Sequence, residues 1–186
     1  IETFDIRVVT GDTDLTPVAT VAISPLLLVT NPSHGINTLA DLARHAKANP
    51  GKVNCGTAGP GSPAHMAVEY LEESTKNFKT TLVPFKGAIE SINAIMGGHI
   101  DMTIGVLGAA VTLLQSGKLR ALAVTAPKRV PLLPNVPTVA EAGGGDYAYQ
   151  SWGGFMVHPE TPDDVVRRMQ AALQTAMQTE GVKKTM

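Results

Sequence analysis

The sequence predicts an α/β fold assembled from βα units, and three observations carry that prediction. Short β-branched, apolar runs alternate along the chain with segments of helical periodicity. Glycine- and proline-bearing turns separate them, at spacings that leave room for a helix between successive strands. The stretch Asn54-Cys55-Gly56-Thr57-Ala58-Gly59-Pro60-Gly61-Ser62-Pro63-Ala64-His65 leads from an apolar approach, through three glycines, into a helix start. Ser62 suits the N-cap and Pro63 the first helical position, where a missing N–H costs nothing. Such units imply a largely parallel sheet with right-handed crossovers.

Taken in order, Ile6, Val8 and Val9 suggest a short strand ending at Gly11. Val18 to Val29 is β-rich and divided by Ser24-Pro25 into two extended pieces, either a crossover between lobes or a bulged edge strand. Asn31-Pro32 and His34-Gly35 mark a turn, and Thr38-Leu39-Ala40-Asp41 is a capping box with Asp in place of the more usual Glu. The helix it opens carries Leu39, Leu42, Ala43 and Ala46 on one face and stops at Asn49-Pro50-Gly51.

After the central loop, helix positions Met66, Val68, Tyr70 and Leu71 are followed by a strand over Thr80 to Pro84. Phe85-Lys86-Gly87-Ala88 leads a second helix with Ile89, Ile92, Ile95 and Met96 on one face, ended by Gly97-Gly98. Ile100, Met102 and Ile104 alternate with Asp101 and Thr103 as a strand, Gly105 to Gly108 forms a flexible exit, and Ala109 to Gln115 is helical. Ala121 to Thr125 is the next strand. Pro127 to Pro137, with four of the thirteen prolines, is an ordered connection, followed by a short helical turn over Thr138 to Ala142. Tyr147 to Val157 is β-like but interrupted at Gly153-Gly154, and Thr161 caps a last helix with Pro162 first and Val165, Val166, Met169, Leu173 and Met177 as its buried stripe.

The totals narrow the function classes. With 186 residues, 44% hydrophobic and 17% charged, the chain can build a core and is not disordered. A net charge of −1, with the basic residues scattered, argues against nucleic acid or an acidic membrane surface as partner. No apolar run reaches a membrane-spanning length. The single Cys55 has no disulfide or CxxC partner and suits a small core residue. His34, His45, His99 and His158 are too dispersed for a metal set, and no cofactor motif is present. Ser62 and His65 stand three residues apart, but proline follows the serine and the G-x-S-x-G elbow is missing. The residues therefore give no reason to expect an enzyme.

The glycine loop before a capped helix gathers N–H donors at the positive end of the helix dipole, which suits a small organic anion. The alternative is a tight strand-to-helix turn with no ligand. Lys86 stands in a strand-to-helix turn of the same sheet, where open α/β sheets face their ligands; otherwise it is a solvated lysine. Asp101 is placed to cap a neighbouring turn, and Trp152 to pack on a crossing strand.

Several blocks resemble one family, the extracytoplasmic solute-binding proteins of tripartite tricarboxylate transporters, or Bug receptors. They are Asp14-Leu15-Thr16-Pro17-Val18-Ala19 with Ser24-Pro25, Ala48-Asn49-Pro50-Gly51-Lys52, Gly59-Pro60-Gly61-Ser62-Pro63-Ala64-His65 and Val83-Pro84-Phe85-Lys86-Gly87. Gly117-Lys118-Leu119-Arg120-Ala121-Leu122-Ala123-Val124-Thr125 and Leu133-Pro134-Asn135-Val136-Pro137-Thr138-Val139-Ala140-Glu141 complete the series in family order.

The resemblance implies a type II Venus flytrap, periplasmic-binding-protein-like, with one complete βα lobe, crossing strands and part of the other lobe. It implies that 1–30 are crossing strands and a first-lobe remnant, 31–125 the ligand-binding second lobe, 126–148 a Pro/Gly-rich connection, and 149–186 a crossing strand and helix of the first lobe. The family's opening strand with its Pro-Phe-Pro-Pro-Gly-Gly-like loop and its C-terminal extension are not matched, so the chain is expected to be a truncated receptor.

The ligand implied is a small dicarboxylate, tricarboxylate or amino acid, and the partners are membrane transporter subunits, in the periplasm. Thr57, Gly59, Gly61, Ser62, His65, Lys86 and Gly87 are the implied ligand-binding positions, with His65 either donating to the ligand or bracing the loop. Two other readings stand beside this one. One is the effector-binding domain of a transcription regulator, which needs a helix-turn-helix upstream. The other is a non-binding remnant that forms a homodimer through its exposed first-lobe edge.

Overall fold

The computed structural model describes residues 15–76 and 79–185, with side chains through Lys183. The strand suggested over Ile6 to Val9 lies outside those residues. Two compact units are present: Ser24–Ser151, and the described part of Ile1–Ile23 together with Trp152–Met186.

The larger unit is a sheet with helices on both faces. Its strands are the latter part of β1 (Thr16–Thr30), β2 (Asn54–Thr57), β3 (Thr81–Pro84), β4 (Met102–Val106) and β5 (Arg120–Val124), in the order β3-β2-β4-β1-β5. Helices α1 (Leu39–Ala48), α2 (Pro63–Thr75), α3 (Ala88–Met96) and α4 (Leu107–Gln115) cover it.

The faces follow from strand alternation. Leu26 and Leu28 of β1, Cys55 of β2 and Met102 and Ile104 of β4 pack with α1 through Leu39, Leu42 and Ala46, and with α2 through Ala67, Val68 and Leu71. On the opposite face Leu27 and Val29 pack with Ile92 and Ile95 of α3 and Ala110 of α4. Leu26 to Val29 are all buried, as a strand covered on both sides requires.

The sheet is mixed, which corrects the expectation of a largely parallel one. β2 runs parallel to β3 and β4, whereas β1 is antiparallel to both β4 and β5. A strand buried on both faces has the same apolar pattern in either direction, so periodicity did not reveal this. Nor does Ser24-Pro25 divide β1, which is one strand of 15 residues. Its pairing with β4 begins at Leu26 and with β5 at Leu27, so the absent Pro25 N–H removes no bond from either ladder.

Local chemistry sets the element ends. Thr38 Oγ1 accepts the Asp41 N–H at 3.0 Å while Asp41 Oδ2 accepts the Thr38 N–H at 3.1 Å, the reciprocal box read from the sequence. The Thr38 hydroxyl, with the Asn37 amide, holds the Asp41 carboxyl below its ordinary range. Asp101 caps the neighbouring strand start, its Oδ2 accepting the Asn54 N–H at 2.8 Å. The expected exit at Gly105 to Gly108 is absent: Gly105 ends within β4, Gly108 lies in α4, and the strand passes straight into the helix.

In the smaller unit, β6 (Gln150–Val157) pairs with β1 and runs through Gly153-Gly154 without interruption. A Cβ on Gly154 would come within 2.7 Å of the Ala19 carbonyl oxygen, which explains glycine there by close backbone approach. Helix α5 spans Asp163–Met177 and α6 Glu180–Thr185. The N-cap of α5 is Pro162, not Thr161, and it makes no side-chain cap bond. Val166, Met169, Leu173 and Met177 recur on one face but are only half buried, and Val165 is exposed. The stripe is real in period and shallower than its composition suggested.

Candidate anion-binding site

The parallel strands β2, β3 and β4 end at one edge of the sheet, and each feeds a helix there. β2 leads to α2 through 58–62, β3 leads to α3 through 85–87, and β4 passes directly into α4. The register Thr57↔Pro84 and the Phe85 N–H bond to the Thr57 carbonyl, 2.8 Å, hold the first two turns side by side. Because α2 lies on one face and α3 on the other, the carboxyl end of β2 is flanked by two helix starts. This is where open α/β sheets receive ligands.

The glycine loop is shaped by its own bonds. Gly59 and Gly61 adopt φ of 97° and 74°, the left-handed region that a side chain resists. The Ser62 N–H donates to the Gly59 carbonyl at 3.2 Å, and Ser62 Oγ accepts the His65 N–H at 3.3 Å as the N-cap. His65 Nδ1 accepts the Gly61 N–H at 2.9 Å, and its Nε2 stands 3.7 Å from Glu69 Oε1. Two amides expected to face a ligand, those of Gly61 and Ser62, are thus engaged within the loop. Those of Ala58, Gly59 and Ala64 have no acceptor among the described residues.

The second turn is more open. Gly87 is the N-cap of α3 and offers no side-chain cap, so the first-turn amides of Ala88 and Ile89 have no acceptor among the described residues. The Lys86 N–H donates to Glu90 Oε2 at 3.1 Å, while the Lys86 side chain is exposed and in no ion pair among the described residues. Thr57 is 2% exposed at the end of β2. Ile89, at 71% exposure, and Val106, at 46%, place apolar surface beside the α3 and α4 starts.

Sequence reasoning located the loop, Lys86 and Gly87 but missed that α3, not α2, has the uncapped start. The signal was legible as a glycine where Ser, Thr or Asp would cap. Of the two roles weighed for His65, donating to the ligand or bracing the loop, the Gly61 N–H bond to its Nδ1 is a contact within the loop.

Neither candidate nucleophile near this edge is free to react. Ser62 is occupied as a cap, and burial, with the Glu72 carboxylate second, pushes the Cys55 thiol far up, leaving it without nucleophilic thiolate. Among the described residues no group of His, Cys, Asp and Glu could hold a metal ion. No helix among them is long and apolar enough to cross a membrane.

Solved structures place this architecture in a class. The R. palustris protein Rpa4515, solved with adipate, superposes with a TM-score of 0.82 at 30% identity, over 97% of this chain and 60% of its own. MatC from Rhodopseudomonas palustris, with bound malate, gives a TM-score of 0.85 at 27% identity over 96% of this chain and 61% of its own. The fold is that of a type II periplasmic binding protein, in part.

Within that class the family is defined. Residues 8–186 match the family described as the tripartite tricarboxylate transporter family receptor, and the chain belongs to it. Protein BugT of Bordetella pertussis is 31% identical over 169 residues, 91% of this chain and 52% of BugT. The chain spans about half the length of the curated relatives it matches. The family is one of solute receptors and not of enzymes.

Proposed function

We propose that this chain binds a small carboxylate solute at the carboxyl edge of its parallel strands, as a periplasmic receptor serving a tripartite tricarboxylate-type transporter. The observation that carries the reading is the set of amides at the starts of α2 and α3 that have no acceptor among the described residues, beside the Lys86 side chain, which is in no ion pair among them. Several aligned N–H groups share the charge of one carboxylate without a fixed counter-ion, each helix start adding about 0.3–1 kcal/mol. Lys86 adds a screened, long-range attraction.

The family membership and the adipate and malate held by two structural neighbours support the same solute class and favour a receptor over a regulator's effector domain. The matched structure of the periplasmic binding protein BugD supports the compartment. In this proposal Thr57, Gly59, Lys86 and Gly87 contact the ligand together with the α3 amides, while Gly61, Ser62 and His65 shape the loop through their mutual bonds.

Calorimetric titration of the 186-residue chain with adipate, malate, citrate and glutamate tests it. Saturable binding of at least one acid is expected. Flat traces for all four, with the chain folded by circular dichroism, would refute it. Light scattering on the same sample reads whether the chain forms a dimer.

A further inference from the structure

We propose that His65 is a positioning residue: as a neutral ring protonated on Nε2, it fixes Gly61 in its left-handed turn and so sets the shape of the anion-binding loop. This rests on the function proposed above and assigns His65 to the loop rather than to the solute. Three contacts carry it. Nδ1 accepts the Gly61 N–H at 2.9 Å, so the ring proton must lie on Nε2. That nitrogen is 3.7 Å from Glu69 Oε1, one helical turn on, a carboxylate that attracts the Nε2 proton and would repel an anion seated against it. The His65 amide is itself held by Ser62 Oγ at 3.3 Å, anchoring the ring's backbone to the N-cap.

The ring thus closes a loop from Gly61 through Ser62 and Pro63 and back. Gly61, exposed and with nothing within 4 Å of where its Cβ would stand, has no packing to hold its φ of 74°. Two hydrogen bonds constrain it: the Ser62 N–H to the Gly59 carbonyl at 3.2 Å, which closes the turn around Gly61, and the Gly61 N–H to His65 Nδ1. Without the His65 bond only the Ser62–Gly59 bond closes the turn, Gly61 regains part of its wide conformational range, and the loop that carries the Ala58 and Gly59 amides is less fixed. The solute would still meet donors, but donors that must be ordered on binding.

The test uses ¹⁵N-labelled full chain, with adipate and malate as the probes. A through-hydrogen-bond coupling between the Gly61 amide nitrogen and His65 Nδ1 is expected in the ligand-free protein. His65→Ala removes the acceptor and should weaken binding of the bound probe about tenfold. His65→Asn sets an oxygen two bonds from Cβ, where Nδ1 stood, and should recover most of that loss; His65→Gln, with its acceptor one bond further out, should not. Absence of the coupling, wild-type affinity in His65→Ala, or His65→Asn as weak as His65→Ala would each overturn the proposal. If wild type binds neither probe, the receptor reading fails on its own. The positioning role is then judged by the Gly61 amide resonance, which should move in His65→Ala and return in His65→Asn, and which overturns the proposal if it does neither. Unfolding midpoints of the variants separate a loop effect from loss of fold.

Discussion

Replacing Gly56 with alanine tests whether the packing beneath the site is as tight as the geometry indicates. A Cβ there would stand 2.5 Å from Ile100 Cδ1, 3.0 Å from Ser91 Cβ and 3.3 Å from Phe85 Cε2. Overpacking of a buried site costs about 1–3 kcal/mol. Gly56 is not in the left-handed region, so the unfolded-state gain from adding a methyl, about 0.4–1 kcal/mol, offsets part of this. The net expectation is a loss of about 1–2 kcal/mol in urea unfolding, with an unchanged m-value. Ile100→Val deletes the atom in the shortest clash at its own cost of about 0.5–1.5 kcal/mol. The double variant should therefore be more stable than the two single effects summed, by a coupling of about 1 kcal/mol. Ser91 belongs to α3 and Phe85 to the turn before it, so Gly56→Ala should also weaken carboxylate binding by displacing the α3 start. Strict additivity, or wild-type stability in Gly56→Ala, would refute the packing argument.

Three further outcomes follow from the same geometry. Thr125→Val should cost about 1–3 kcal/mol in chemical unfolding, because the buried Leu26 N–H now donates to Thr125 Oγ1 at 2.8 Å and would lose its partner. Burial, then Tyr149 and Tyr70, raises the pKa of Tyr147, whose hydroxyl donates to the Ala67 carbonyl at 2.9 Å. A folded pKa above the unfolded value means stability that is intact below pH of about 10 and falls as pH rises beyond it, so Tyr147→Phe should flatten the alkaline limb of a pH–stability profile. Lys86→Ala should reduce carboxylate affinity up to about fivefold and lessen its salt dependence, as calorimetry at two ionic strengths would show.

Elements announced by local chemistry were legible in the sequence. The Thr38–Asp41 box, the Ser62-Pro63 helix start, the Gly97 stop and the alternation through β4 all reappear, because each depends on residues within a few positions. What escaped depended on distant partners. The direction of β1 is decided by β4 and β5, some 75 to 100 residues further along, and its own pattern is silent on it. The depth of the α5 stripe depends on what lies against it, which helical period cannot report. At the site, residue types identified the turns, but which amides are spent was decided by a ring nitrogen and a missing cap.

The claim that the starts of α2 and α3 seat a carboxylate is tested most directly by following backbone amides of the ¹⁵N-labelled chain during titration with adipate and malate. The account predicts that the Ala58, Gly59, Ala64, Ala88 and Ile89 amides shift the most and reach their end points together at saturation. Saturable binding that leaves these five unmoved while other amides respond would place the anion elsewhere and contradict the account.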